Sequence, residues 1–269
     1  MKPSELKQAL ASAVKAARAA GKLMRQNLRA SKKINSKTQH DIKLELDVRC
    51  QEVIEKILAS DFPHVAVLGE EGISGNPETA QRWVVDPIDG TVNFAYGIPH
   101  ACVSIALQIR SSTSTPLPAG VEEYDTVVGV VYDPFCDELW TAVHGGPARL
   151  NGKLIRVSER LVLRETIVAI GFAKSSASLE HTLPYFNRLV RRTRKVRMMG
   201  SAALAMTYVA TGRFDAYIER GIRLWDVAAG GLIVECAGGE YWREPVAGDY
   251  TYRMITSNGL LRKKLESIQ

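Results

Sequence analysis

Between residues 166 and 256 the sequence switches repeatedly between short apolar runs and longer segments of helical period. This alternation constrains the fold more than any other feature. Strand-like runs at 166–171, 195–199, 214–219 and 253–256 are separated by helix-like stretches at 181–193, 201–211 and 226–237. A sheet covered by helices buries both kinds of element. The first half has a different rhythm. Helical spacing marks 4–28, where Leu6, Leu10, Val14, Ala17, Met24 and Leu28 share a face, and 44–60. Strands are expected at Val65–Leu68, from Trp83, and at 103–109, 127–132 and 138–143, with a loop over 73–81. The link 110–126 is rich in Ser, Thr and Pro and reads as an exposed insertion, and Asn151-Gly152 is a hairpin signal. A soft boundary is expected near 150, between an α+β part (1–150) and an α/β part (151–269).

Several function classes fall away on composition. The 269 residues suffice for one large domain or two small ones sharing an interface. No apolar run approaches the roughly 18 residues of a membrane span. Residues 1–28 are charged throughout, unlike a secretory signal. Cys50, Cys102, Cys136 and Cys236 lie far apart with no C-x-x-C, which fits reduced, buried thiols in a cytoplasm and gives no zinc site. The histidines lack ligand spacing, so a metal here would be held by oxygen. The net charge of +6 owes much to Arg188, Arg191, Arg192, Arg194, Lys195 and Arg197. That run reads first as a solvated basic helix face, next as a steering field for an anionic substrate, and last as a nucleic-acid contact, since few aromatics are interleaved.

Chemistry concentrates in Trp83–Phe94. An apolar run leads into Asp86-Pro87-Ile88-Asp89-Gly90-Thr91. The residue before a proline is driven to extended backbone, so the strand is expected to end with the Asp86 carboxylate directed outward. Pro87 then turns the chain, and Gly90 permits a conformation other residues resist. A helix beginning near Thr91 would offer free N–H groups to an anion. The Asp-x-x-Asp spacing rules out the Asp-x-Asp of aspartyl-phosphate enzymes, and an EF-hand loop needs oxygens at other positions. Taken alone, the segment fits a capped turn equally well.

Elsewhere single acids are unremarkable. Glu70 and Glu71 lie in a Gly-flanked turn after a strand, Asp226 can serve as a helix N-cap, and Asp47 as another cap. Together, however, Gly69-Glu70-Glu71, Asp86-Pro87-Ile88-Asp89-Gly90-Thr91-x-Asn93-Phe94 and Trp225-Asp226-x-Ala228-Ala229-Gly230 resemble the inositol monophosphatase family, within the wider fructose-bisphosphatase-like, lithium-sensitive phosphatases. The resemblance runs from Lys37 and Asp41 to Ser257-Asn258. It implies a mixed α/β (α+β) fold of alternating αβαβα layers, usually a homodimer. It also implies a metal shell of Glu70, Asp86, Asp89, Asp226 and the Ile88 carbonyl, holding two to three Mg²⁺. Thr91 and Asp47 match the pair that activates water, with Glu70 beside them. Gly90 and Thr91 match the phosphate cradle, and Asp89, Gly200, Ser201, Ala202, Glu219 and Asp226 match positions that face the substrate.

Phosphate monoesters resist hydrolysis because the anion repels a nucleophile. Paired divalent ions on oxygen ligands overcome that repulsion, and they also relieve the conflict among clustered carboxylates. The resemblance therefore implies a Mg²⁺-dependent phosphatase of inositol monophosphate. Fructose 1,6-bisphosphate, histidinol phosphate and 3′-phosphoadenosine phosphate remain as other substrates, with Arg220 and Arg223 able to reach a second phosphate. Neither a membrane nor nucleic acid is expected as a partner. The alternative of another class is a nucleic-acid-associated regulator using 188–197.

Overall fold

In this computed structural model residues 1–31, 34–37, 42–111, 124–172 and 176–268 are described. Asp41 and most of the 110–126 link lie outside them.

The first half builds one large sheet. Helix α1 (Pro3–Asn27) is followed by the hairpin β1 (Ile34–Lys37) and β2 (Ile42–Leu44), then α2 (Glu45–Asp61). Strands β3 (Ala66–Gly69), β4 (Gly72–Ser74) and β5 (Gln81–Asp89) precede the short α3 (Thr91–Ala95). Strands β6 (Cys102–Arg110), β7 (Tyr124–Asp133), β8 (Glu138–Val143), β9 (Arg149–Leu150) and β10 (Lys153–Leu154) complete the half. The spatial order is β10-β9-β8-β7-β6-β5-β3-β4, and among the described residues of this sheet β3 and β5 are the one parallel pair. Strands β5 and β6 are buried almost end to end, because helices cover both faces of the sheet. The Asn151-Gly152 hairpin forms as expected, with φ of 48° and 79°, as its turn type requires.

The second half alternates as its pattern implied. Strand β11 (Ile167–Ile170), α4 (Ser176–Arg192), β12 (Lys195–Arg197), α5 (Ala202–Ala210), β13 (Ala216–Arg223) and α6 (Leu224–Cys236) are followed by β14 (Glu240–Pro245), β15 (Thr251–Ser257) and α7 (Arg262–Glu266). The second sheet has the order β12-β11-β13-β15-β14. Strand β14 was not anticipated, since its Glu-Tyr-Trp-Arg-Glu-Pro sequence lacks a clean alternation and it sits at the sheet edge.

Three apolar clusters fill the gaps between layers. One lies between α1, α2 and the large sheet, a second surrounds α5 and α6 between the two sheets, and a third lies between the small sheet and α4 and α7. The order is therefore αβαβα. Helices α5 and α6 are apolar on nearly every side because a sheet lies on each flank. The middle cluster draws on Leu68, Trp140 and Ala142 from one half and Ala169, Tyr217 and Met254 from the other. Helix α1 buries Ala9, Ala13, Ala16, Ala17, Ala20 and Met24, while Leu6, Leu10 and Val14 flank this stripe; small residues let α1 come close to α2 and β7. Two of the cysteines depart from the buried expectation: Cys136 is exposed and Cys236 half-buried. No helix among the described residues is long and apolar enough to cross a membrane.

Candidate active site

Strand β5 does not end at Asp86. It continues through Pro87 to Asp89, and its pairing with β6 slips on the way: Asp86 opposes Ser104, whereas Asp89 opposes Cys102. Three steps on one strand against two on the other make a bulge of one residue. On a regular strand, side chains three apart point to opposite faces. The extra residue restores the same side, so Asp86 and Asp89 converge. Pro87 is tolerated there because a bulge needs no ladder N–H at every residue.

The turn after the bulge is held by short-range bonds. The Ile88 N–H donates to Asp86 Oδ1 (3.0 Å), and Thr91 Oγ1 donates to the Ile88 carbonyl (2.9 Å). Gly90 has φ 95°, and a Cβ there would stand 3.0 Å from the His100 carbonyl and 3.1 Å from that of Gly200. Only glycine satisfies both the backbone and the space. Asn93, from α3, donates to the carbonyls of His100 (2.9 Å) and Met199 (2.8 Å), tying the approach to α5 onto the turn.

Asp89 joins the two halves of the chain. Its Oδ2 accepts from Ser201 Oγ (2.6 Å) and the Ala203 N–H (2.7 Å), and its Oδ1 from the Ala202 N–H (3.2 Å). A carboxylate from β5 thus caps α5, whose own N-cap is Ser201. Asp226 is not the N-cap of α6 but sits in its first turn, where its Oδ2 accepts the Arg223 N–H (3.1 Å); the helix starts two residues earlier than expected. Glu70 follows β3 in a turn pinned from below by Gln51 of α2. Gln51 Oε1 accepts the Glu71 N–H (3.0 Å), while its Nε2 donates to the Gly72 carbonyl (3.1 Å) and to Glu55 (2.9 Å). Gln51 was not singled out in the sequence, where it is one polar residue on an amphipathic helix.

These segments enclose a cleft of ≈ 570 Å³ lined by Glu70, Asp86, Asp89, Glu219 and Asp226, with no Lys or Arg among the described lining residues. Oxygens of Asp86, Asp89 and Asp226 lie within 4.8 Å of one another. Ile88, Gly90, Thr91, Gly200, Ser201 and Ala202 complete the near wall. On the far side Glu219 accepts the hydroxyl of Tyr217, two residues earlier on the same face of β13. Gly171 lies so close to Glu219 that a Cβ there would collide with its carboxylate. Tyr217 and Gly171 were also missed, although the period of two from Glu219 points to Tyr217. Asp47 stands apart from the lining: buried at the start of α2, it accepts the Leu44 N–H with Oδ2 (2.7 Å). Arg223 is tied to the Asp249 carbonyl and Thr251 Oγ1 (both 2.6 Å) and is not part of the described lining, whereas Arg220 lines a different cavity.

Crowding sets the electrostatics. Burial first, then Glu70, Asp89 and Asp226, pushes the Asp86 carboxyl well above the usual aspartate range. Burial, then Asp89 and Glu70, does the same to Asp226. Burial also raises Asp89, against the opposing pull of Ser201 and the Ala202 and Ala203 N–H groups. Buried acids at this spacing cannot all ionise without a cation. The three converging carboxylates, joined by no thiol or imidazole among the described residues, fit a hard divalent ion such as Mg²⁺.

The model of the inositol monophosphatase family matches residues 5–244. The protein named inositol monophosphatase 2 of Solanum lycopersicum is 42% identical over 237 residues, covering 84% of this chain and 84% of its own. The protein named Nus factor SuhB of Xylella fastidiosa is 40% identical over 230 residues, 84% of this chain and 78% of its own. Among solved structures, the extragenic suppressor protein suhB of Bartonella henselae superposes with a TM-score of 0.84 at 31% identity, covering 96% of each chain. The inositol monophosphatase of Anabaena superposes at 0.80 with 32% identity, covering 98% of this chain and 96% of its own.

Proposed function

The chain belongs to the inositol monophosphatase family, a family of phosphatases, and on that premise we propose that it hydrolyses inositol monophosphate or a closely similar polyol phosphate with Mg²⁺ as cofactor. The observation that carries this is the convergence of the Asp86, Asp89 and Asp226 oxygens within 4.8 Å in a cleft walled by Glu70 and Glu219. Glu70, Asp86, Asp89, Asp226 and the Ile88 carbonyl would hold two to three ions, which when bound neutralise the phosphate and make a water a stronger acid.

The chain's own groups supply the remainder. Gly90 and Thr91 line the cleft beside the acids and would give N–H groups to the phosphate oxygens. The Thr91 hydroxyl already donates its proton to Ile88, so its lone pairs are turned to accept from the attacking water. Asp47, in the first turn of α2, would assist as an acceptor behind Thr91. A water oxygen–phosphorus bond forms while the bond from phosphorus to the polyol oxygen breaks, and the departing oxygen takes up a proton. Glu219, fixed by Tyr217, would accept hydrogen bonds from ring hydroxyls, with Gly200, Ser201 and Ala202 shaping the wall beside it. The proposal includes a homodimer in the cytoplasm and inhibition by lithium, the former read by sedimentation and the latter by titration of activity. Phosphate release from inositol monophosphates, fructose 1,6-bisphosphate, histidinol phosphate and 3′-phosphoadenosine phosphate tests the activity; no Mg²⁺-dependent turnover of any of them would refute it.

A second function is favoured by one observation. Arg191, Arg192, Arg194, Lys195 and Arg197 form an exposed basic strip along the end of α4 and β12, and several relatives bear the name Nus factor. Such a regulator would bind RNA with a steep salt dependence. An affinity that survives Asp226→Asn and falls when the strip is neutralised would support it; salt-independent or absent binding would remove it.

A further inference from the structure

Behind the cleft, on the outer face of the small sheet, lies a second cavity of ≈ 210 Å³ between α4 and strands β13 and β15. Ile170, Ile218, Ile255 and Tyr185 form an apolar lining, and three arginines, Arg188, Arg220 and Arg253, line it from three different elements. Two of these arginines are direct cross-strand partners: Arg220 of β13 stands opposite Arg253 of β15. Like charges placed directly opposite on one sheet face are destabilising. Compensation by protein acids is incomplete. Arg253 pairs with Glu244 (3.1 Å), and Arg188 Nε spends its hydrogen bond on the main-chain carbonyl of Ile268 (2.6 Å). The guanidinium of Arg220, half-buried, forms no ion pair with any described carboxylate.

Two of the three cations are held in place before any ligand arrives. Arg253 is fixed by Glu244 and by the Trp242 ring, 5.6 Å away, and Arg188 by Ile268. The Arg188 bond uses Nε alone, which leaves the terminal nitrogens of that fork to donate elsewhere. Arginine forks match the oxygens of phosphate and carboxylate in pairs. Sites that hold a drug-sized ligand run to about 300–1,000 Å³, so this smaller cavity suits one compact anionic group.

We propose that this cavity is a second anion site, one that binds a phosphate group through Arg188, Arg220 and Arg253 and is separate from the acidic cleft. The bound phosphate neutralises the Arg220–Arg253 pair that the fold leaves undercompensated. Its source is either inorganic phosphate or the phosphate of a small organic ester. Glu219 and Ile170 line both cavities, so an occupant reaches the wall of the cleft from behind. The proposal does not depend on the activity assigned to the cleft.

Calorimetric titration of the protein in EDTA, at ionic strength held constant with chloride, tests this. Without metal the acidic cleft repels phosphate, so saturable binding reports the arginine site. Inorganic phosphate and glycerol 3-phosphate are the probes, and the tighter of the two identifies the source. The expected result is one saturable site whose affinity falls at least tenfold in Arg220→Gln and in Arg188→Gln. Arg220→Gln should also melt no lower than the parent in phosphate-free, low-salt buffer, because it removes a like-charge pair. Arg188→Gln, at a solvent-exposed position of α4 beside the cavity, provides the same reading if Arg220→Gln fails to fold. Absence of saturable binding, or equal affinity in the parent and in whichever variants fold, would overturn the proposal.

Discussion

At the scale of single residues, Asp89 serves two ends at once. Both its oxygens accept from the first turn of α5, and the same carboxylate faces Asp86 and Asp226. Its removal would therefore confound a lost cap with a lost ligand, and Asp226 makes the cleaner probe. Asp226→Asn should lower turnover by more than about a hundredfold while raising the melting temperature of the metal-free protein, because one of several mutually repelling acids is gone. A variant that melts lower in EDTA than its parent would contradict the repulsion argument. Gln51 acts from beneath the Glu70 turn, so Gln51→Leu should raise the Mg²⁺ requirement by about 10–100-fold, as loss of a supporting hydrogen bond does at metal sites. A Mg²⁺ titration of activity reads this, and an unchanged midpoint would leave Gln51 with a packing role alone. The acids were legible in the sequence as motif letters. Gln51, Tyr217 and Gly171 were not, because a clamp or a close approach exists only between segments that are distant along the chain.

Secondary-structure elements were legible where one face or both faces of an element meet a core. The alternation after residue 166 and the strands at 103–109, 127–132 and 138–143 correspond to observed elements, since apolar period follows burial directly. Strand β14 escaped because an edge strand with half-buried side chains has no such period. The end of β5 was misplaced because Pro87 signals a stop in isolation, whereas the partner strand β6 carries the chain past it through a bulge. Helix α6 is pressed onto β7 at Gly129, where a Cβ would stand 2.8 Å from the Ala229 carbonyl. Gly129→Ala should cost about 1–3 kcal/mol, the range for overpacking a core, measured by urea denaturation. A cost within error of zero would show that α6 can shift outward to make room.

Across the whole molecule, the cleft is closed by segments from both halves, so its charge bears on global stability. Asp86 and Asp226 have folded-state values raised above the ordinary 3.8. Between that value and the raised ones the native state holds more protons than the unfolded chain, so stability of the metal-free protein falls as pH rises. Divalent metal should cancel this loss by binding the native state alone. Melting temperatures in EDTA should therefore decline from mildly acidic to neutral pH, and millimolar Mg²⁺ should flatten the decline; equal curves with and without Mg²⁺ would refute the linkage. The layered α/β class, the family and the letters of the acidic motifs could be read from the chain alone, because local period and short spacing depend on neighbours along it. Folding in three dimensions adds that a one-residue bulge turns Asp86 and Asp89 to the same side, that Asp89 caps a helix starting more than a hundred residues later, and that Arg220 faces Arg253 across two strands. Those facts are set by register and layer packing, which bring together groups whose separation in sequence carries no trace of their distance in space.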